Sequence, residues 1–200
     1  MDGFRLFPGH IDEAAQHVLL GLLREAIRLA PFFTPVMPRT GRPFSVAMTN
    51  LGPLGWVSDR AGYRYQPTHP ATAEPWPPIP EMVLALWREV AGYPHEPQAC
   101  LINYYRAGAK MGLHQDADEE DFSAPVVSVS LGDTAVFRIG GTERGGSTKS
   151  VRLTSGDVLV MGGSSRLCYH GIDRILPGTS RLLPEGGRIN LTLRRVTRPC

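Results

Sequence analysis

The amino-acid sequence predicts a mainly β (α+β) fold, a sandwich or jelly-roll of short strands carried by two supporting helices. Three observations predict it. From Ala99 onward, apolar or alternating segments recur at intervals of about 8–12 residues, with Gly, Asp, Asn or Pro at most junctions. Helical periodicity is confined to two segments. The 200 residues include 22 Gly and 18 Pro, above an average of roughly 12% for the two together, which suits a turn-rich β protein.

The elements follow in order. "IDEAAQHVLLGLLREAIRLA", residues 11–30, spaces Ala15, Val18, Leu19, Leu22, Leu23 and Ile27 as one helical face, with Asp12 and Glu13 in the first turn. Residues 42–80 are rich in Gly, Pro and aromatics. Phe44 to Thr49 reads as a strand, and the remainder as an ordered lid or binding loop. "PEMVLALWREV", residues 80–90, opens on Pro and is followed by the C-cap candidate Gly92. Strands are then expected in "ACLINYYR", "PVVSVSLG", "TAVFRIGG", "KSVRLTS", "DVLVMGG", "RLCYHGI" and "GRINLTLRRV". The organisation expected is one domain over residues 1–200. It comprises an N-terminal helix segment (1–41), a lid (42–80), a supporting helix (81–98) and a β core (99–200).

Composition excludes several classes. No apolar run approaches the ~18 residues of a membrane span, and the N-terminus lacks the basic and apolar regions of a signal peptide. Three cysteines without CxxC spacing indicate neither a disulfide framework nor a zinc ribbon, so a cytoplasmic protein without membrane contact is expected, and a monomer because no segment shows an unexplained apolar stripe. Against 21 Lys+Arg stand 19 Asp+Glu, a balance too mild to argue for an anionic partner by itself.

The last strand is the most informative by pattern. Arg188, Asn190, Thr192 and Arg194 share one face, and Ile189, Leu191 and Leu193 the other. Either the polar face meets water, or it lines a barrel interior. In the second case two guanidiniums require an anion, and a small dicarboxylate held at each end by an arginine would supply it. Asn103 and Tyr105 likewise share a face in "LINYYR", and both are neutral groups able to bind a carboxylate.

His114 and Asp116, at i and i+2 of an extended segment, could reach one metal ion, and His170 in "CYHGI" is the best third ligand. Two His and one carboxylate form the facial triad of non-haem Fe(II) oxygenases. The alternative is a turn-capping His114 and a satisfied core His170. His10 and His17 sit at or in the first helix, and His69 and His95 read as loop residues. Gly162 to Ser165 is no nucleophile elbow, and Gly140 to Gly146 lacks the lysine of a phosphate-binding loop and reads as a hairpin turn.

These motifs, with "SVAMTN", "LGW", "GYRY", "GAK", "LHQD", "APVVSVSLG" and "GDVLVMGG", resemble the AlkB family of Fe(II)- and 2-oxoglutarate-dependent dioxygenases from about Phe44 to Arg195. The resemblance implies a double-stranded β-helix (jelly-roll) core and Fe(II) held by His114, Asp116 and His170, the catalytic centre. It implies 2-oxoglutarate contacts at Asn103, Tyr105, Arg188, Asn190, Thr192 and Arg194, and O2 as the oxidant. Substrate contacts are implied for Met48, Trp56, Tyr63, Arg64, Tyr65, Asp118, Glu119 and Arg144. Trp56 would stack on the base, Tyr63 and Tyr65 would touch the nucleotide backbone, and Asp118, with Glu119 beside it, would face the base edge.

Glu120 and Asp121 are expected to be solvated. Met161 stands where the family has an aromatic residue, which bears on the pocket wall. The function so implied is oxidative demethylation of N-alkylated bases such as 1-methyladenine and 3-methylcytosine, releasing formaldehyde, succinate and CO2. The expected partner is alkylated single-stranded DNA, with double-stranded DNA or RNA as alternatives. Protein or metabolite substrates are a rival within the same chemistry, and a non-catalytic jelly-roll that binds a small acid is a rival outside it.

Overall fold

A computed structural model describes residues 3–199, so Cys200 lies outside the described residues. Strand β1 (Phe4–Phe7) precedes helix α1 (Glu13–Leu29). Strands β2 (Ala47–Leu51), β3 (Gly55–Asp59) and β4 (Gly62–Gln66) follow, then helix α2 (Glu81–Val90). The remaining strands are β5 (Ala99–Tyr105), β6 (Met111–His114), β7 (Val126–Gly132), β8 (Thr134–Ile139), β9 (Lys149–Leu153), β10 (Val158–Met161), β11 (His170–Leu176) and β12 (Arg188–Arg194). They form a major sheet in the order β1-β10-β7-β12-β5-β2, a minor sheet β6-β11-β8-β9, and the separate hairpin β3-β4.

Asp12 caps α1 by accepting a hydrogen bond from the Ala15 backbone N–H at 2.8 Å, and Gln16, Leu19, Leu20, Leu23 and Ala26 form the buried stripe of the helix. Val83, Leu86, Trp87 and Val90 do the same in α2. Both stripes pack on one face of the major sheet, against Ile102, Val127, Val129, Val158, Leu191 and Leu193 among others. The opposite face meets the minor sheet through Leu101, Tyr105, Leu159, Phe137, Ile139 and Ile172. Period-2 alternation therefore sends the polar side of β12 into the space between the sheets. All seven of its residues are buried, which excludes the reading in which that face meets water.

Several boundaries differ from expectation. The strand expected at Phe44 to Thr49 is β2, shifted to Ala47–Leu51, where it pairs with β5 from Ala47↔Tyr104 to Leu51↔Cys100. Strand β1 was not expected, and the extended segment expected through His114 and Asp116 is β6, which ends at His114; four residues each carry too little alternation to mark their bounds, and their pairing partners, β10 and β11, are distant in sequence. "RLCYHGI" is not strand throughout, because a 3-10 turn at Gly163–Ser165 precedes it and β11 begins only at His170. The lid contains the β3–β4 hairpin, in which Trp56 lies opposite Tyr65 and Ser58 opposite Tyr63.

The entry to β12 is fixed by Asp133, which is buried at the start of β8. Its carboxylate accepts from the backbone N–H groups of Thr179 and Gly187 at 2.9 Å each and of Ser180 at 3.1 Å. Gly187 has φ +87°, and a Cβ there would come within 2.6 Å of the Tyr105 carbonyl oxygen. Replacing Asp133 by Ala leaves three backbone donors without this acceptor, that of buried Gly187 beside Arg188 among them. The expected result is a loss of roughly 2–4 kcal/mol in urea unfolding, with weakened binding of any ligand held by Arg188. An unchanged unfolding midpoint would contradict this account.

Candidate metal and dicarboxylate site

β6 and β11 pair with His114 opposite His170, which brings the two rings to a centroid separation of 4.5 Å. The close approach depends on Gly171, where a Cβ would meet the Met111 and Gly112 carbonyl oxygens at 2.5 and 2.8 Å. Asp116 lies two residues beyond the end of β6, in the segment leaving the strand rather than within it. Its Oδ1 is 3.7 Å from His114 Nε2 and its Oδ2 is 3.7 Å from His170 Nε2. One ligand atom from each of the three residues lies within 4.8 Å of the others.

The surroundings prepare these atoms for a cation. His114 Nδ1 is 3.0 Å from the Gly112 carbonyl oxygen and His170 Nδ1 is 2.9 Å from that of Cys168. An Nδ1–H donating to each carbonyl leaves both Nε2 lone pairs directed at the centre. Burial is the main reason the pKa of His170 falls from 6.5 to about 4, with Asp116 opposing it, so the ring is a neutral ligand at physiological pH. Burial opposes ionisation of Asp116 too. There the guanidinium of Arg194, followed by the two histidines, outweighs it and holds the carboxyl well below its usual range. Asp116 Oδ1 accepts from Arg194 Nη2 at 2.9 Å, whereas the buried Oδ2 has no hydrogen-bond partner among the described residues. An ionised, half-satisfied carboxylate beside two imidazole lone pairs fits a divalent metal such as Fe(II).

A second set of unsatisfied groups lies next to it. Arg188 is 1% exposed, donates from Nη2 to Ser130 Oγ at 3.0 Å, and has its Cζ 5.4 Å from the Tyr105 ring centroid. Its Nε and Nη1 are buried without partners among the described residues, as is Asn103 Oδ1. Burial lowers the Arg188 pKa to about 10, so the site lacks the negative charge that this cation requires. Burial also raises the Tyr105 phenol to about 12, which keeps it a neutral hydrogen-bonding group. Arg188 and Arg194 stand at opposite ends of β12, both buried and on its one polar face. Asn190 and Thr192 are less available. Thr192 Oγ1 donates to Asn190 Oδ1 at 3.0 Å, and Asn190 Nδ2 donates to Ser128 Oγ and the Val129 carbonyl oxygen. These two residues brace the strand that carries the arginines.

The lid residues divide. Trp56 and Tyr63 are stacked at 5.6 Å and 19°, and Trp56 Nε1 donates to Asp118 Oδ2 at 2.7 Å. Met48 is buried in the cluster against which Trp56 packs. Arg64 is turned elsewhere: its guanidinium is bidentate on Asp59 at 2.8 and 3.0 Å. Arg144 is exposed in the β8–β9 connection, and no described residue forms an ion pair with it.

Glu119 corrects the sequence reading. It is buried and does not face a base. Tyr65 donates its hydroxyl to Glu119 Oε1, Arg166 Nη2 donates to Oε2 at 3.0 Å, and Arg194 Nε lies 3.5 Å from Oε1. The Tyr65 hydroxyl is thereby held inside the protein and not offered to a nucleotide backbone. Asp121, expected to be solvated, is buried as well and accepts from Tyr93 and from the Ser123 backbone. His69, read as a loop residue, is buried, with Nε2 2.8 Å from the Pro31 carbonyl oxygen.

Arg166 escaped sequence reasoning altogether. It donates to the Asp116 carbonyl oxygen at 2.7 Å and to that of Ala124 at 2.9 Å, and so fixes the backbone of the metal carboxylate. It lies just after a turn, where no periodicity marks a buried residue.

Comparison with known proteins agrees with this site. Residues 3–194 match the model of the 2OG-Fe(II) oxygenase superfamily. The chain is 54% identical over 193 residues to the alpha-ketoglutarate-dependent dioxygenase AlkB homolog of Caulobacter vibrioides, covering 96% of this chain and 87% of that one. It is 46% identical over 185 residues to the alpha-ketoglutarate-dependent dioxygenase AlkB of Escherichia coli, covering 90% and 85%. The solved structure of OsALKBH1 superposes with a TM-score of 0.82 at 33% identity, covering 96% of both chains.

Two outcomes are expected. Asp116→Ala abolishes Fe(II) binding in anaerobic titration while Asp118→Ala retains it; loss of the metal in the second variant would show the carboxylates to be wrongly divided. In the metal-free protein, the unfolded chain takes up a proton on His170 near 6.5 and the folded chain only near 4. Stability therefore falls as the pH drops through that window and is restored as it rises. A His170→Gln variant should show a flatter denaturation profile there, and a profile identical to that of the parent would contradict the assignment.

Proposed function

The chain belongs to the 2OG-Fe(II) oxygenase superfamily as an AlkB-type dioxygenase, and on that footing we propose that it removes alkyl groups oxidatively from nucleic-acid bases. The substrates proposed are N-alkylated bases such as 1-methyladenine and 3-methylcytosine, in single-stranded DNA by preference. The observation that carries the reading is the Trp56–Tyr63 stack with the Asp118 carboxylate hydrogen-bonded to the indole edge. Both 1-methyladenine and 3-methylcytosine carry positive charge at neutral pH. An aromatic face with an adjacent carboxylate suits a flat cation better than a neutral peptide or an acidic metabolite. The base must leave the stack to enter such a pocket, which favours single strands.

Each group has a task. His114, Asp116 and His170 would hold Fe(II). Arg188, with Asn103 and Tyr105, would bind one carboxylate of 2-oxoglutarate, and Arg194 would lie at the other end. Bound together, iron and 2-oxoglutarate supply activated O2, one oxygen atom passing to succinate as CO2 leaves and the other to the methyl carbon, which departs as formaldehyde. Arg194 keeps Asp116 ionised, and the backbone carbonyls of Gly112 and Cys168 keep both imidazoles in the ligating tautomer. Phe137, stacked on His170 at 5.7 Å, and the apolar side chains around it shield the His170 side of the centre from water, while His114 stays accessible from outside. No side chain acting as general acid or base is needed to start the reaction.

An aerobic assay with Fe(II), ascorbate and 2-oxoglutarate on oligonucleotides bearing 1-methyladenine or 3-methylcytosine, read by mass spectrometry, should show loss of one CH2 unit per lesion and formation of succinate. Trp56→Ala should raise KM roughly 5- to 100-fold, as expected for a lost base–aromatic stack, and leave Fe(II) binding intact. Absence of CH2 loss on every methylated base, in DNA and in RNA, would sink the repair reading. Ligand binding indifferent to His114→Ala would favour a non-catalytic small-acid binder.

A further inference from the structure

Both helices cover the major sheet, and the outer face of the minor sheet is left to its own side chains. Ala135, Phe137 and Ile139 of β8 point into the core, so Val136 and Arg138 point outward. The register extends this face sideways: Arg174 of β11 and Arg152 of β9 flank Val136, and Gly171 and Ser150 flank Arg138. Three arginines thus share one outward surface.

Charge is unevenly distributed with respect to it. Residues 110–114, 134–153 and 170–176 contain six of the 21 basic residues and two of the 19 acidic ones, so the rest of the chain is more acidic than basic. Elsewhere on the surface Arg28, Arg64 and Arg88 are paired with carboxylates at 2.6–2.8 Å. Arg152 and Lys110 form no ion pair with any described residue, and Arg174 reaches only its neighbour Asp173, at 3.6 Å. Arg138 donates from Nε and Nη2 to Thr148 Oγ1, at 3.0 and 2.6 Å, which orients its guanidinium with Nη1 directed to no described partner.

A groove of about 220 Å³ continues from this face to the edge of β6, lined by Lys110, Arg138 and Asp173, with Gly112 and Gly171 in its floor. A Cβ on Gly112 would meet nothing within 4 Å, so the floor is open there.

We propose that this face is a second nucleic-acid contact surface, on which Arg138, Arg152 and Arg174 hold the phosphodiester backbone of the strand flanking the base being repaired. Arg152 and Arg174 are two strands apart, about 10 Å at the backbone, so their long side chains reach different phosphates of a strand laid across them. The surface reads no sequence, because every partner is a phosphate. The proposal rests on the nucleic-acid substrate proposed above. It adds that affinity depends on strand length, and that this dependence is set by residues remote from the lid.

The test uses the full chain with Arg138→Gln, Arg152→Gln and Arg174→Gln combined, and a second variant with Arg152→Gln and Arg174→Gln alone, which spares the Arg138–Thr148 hydrogen bonds. Demethylation is measured on a methylated trinucleotide and on a long methylated single strand, and binding of unmodified single-stranded DNA is measured against salt. The triple variant should raise KM for the long strand about tenfold and leave kcat and KM for the trinucleotide unchanged. It should also reduce the log–log salt slope by about 2, at roughly 0.7 for each phosphate no longer neutralised. The double variant should show about two thirds of that reduction. An unchanged slope with unchanged long-strand KM overturns the proposal, as does a variant that still binds DNA but no longer binds phosphatidylserine vesicles the parent bound. Failure of the parent on the trinucleotide would count against the enzymatic reading instead, since the salt slope on unmodified DNA is independent of it.

Discussion

Two cations buried on one face of β12 impose the arrangement of almost everything around them. A guanidinium taken out of water must be met by negative charge or by a full set of acceptors. Arg194 meets Asp116 and Glu119, and in doing so keeps the metal carboxylate ionised in a place where burial alone would neutralise it. Arg188 has one hydrogen bond, to Ser130, and the face of Tyr105, and no carboxylate among the described residues. One arginine is thus neutralised by the protein, and the other carries an uncompensated charge among the described residues. The strand is held in register on both sides, by β5 and β7, so the two charges keep a fixed separation.

The acidic run from Asp116 to Asp121 is a set of separate devices. Asp116 belongs to the metal site and Asp118 to the indole of Trp56. Glu119 joins Tyr65 of the lid hairpin to Arg194 and Arg166, and Asp121 ties the loop to Tyr93 beyond α2. Glu120, by contrast, is exposed. Through Glu119 the lid and the metal carboxylate share one hydrogen-bonded chain, so the position of the hairpin and the orientation of Asp116 are coupled.

The sequence made some of this legible and hid the rest, for physical reasons. The alternation in "RINLTLR" is legible because a period-2 pattern with charged and aliphatic extremes survives in any sheet; which side faced inward was open, and the packing of both helices on the aliphatic side decides it. The His114/Asp116/His170 set is legible because ligand types are few, although Asp116 lies past the strand that was expected to carry it. Burial of Glu119 and Asp121 is not legible, since it depends on Tyr65, Arg166 and Tyr93, none of them near in sequence. Arg166 in its turn and the four-residue β1 and β6 carry no periodic signal. Their places are set by partners the chain meets only on folding.

Strand β1 also bears on how the protein behaves in bulk. It covers β10, whose sequence "VLVM" is apolar at every position and buried throughout. Left uncovered, such an edge is a template for another chain to pair with. β1 closes it with a strand of four residues, too short to recruit a further one readily, and Arg5 anchors it by donating to the Val90 carbonyl oxygen at the end of α2 at 2.7 Å. The same strand reaches the site from behind, since Phe4 lies 6.4 Å from the ring of Phe137, which stacks on His170. One short strand thus closes an aggregation-prone edge and backs the ring that supports a metal ligand.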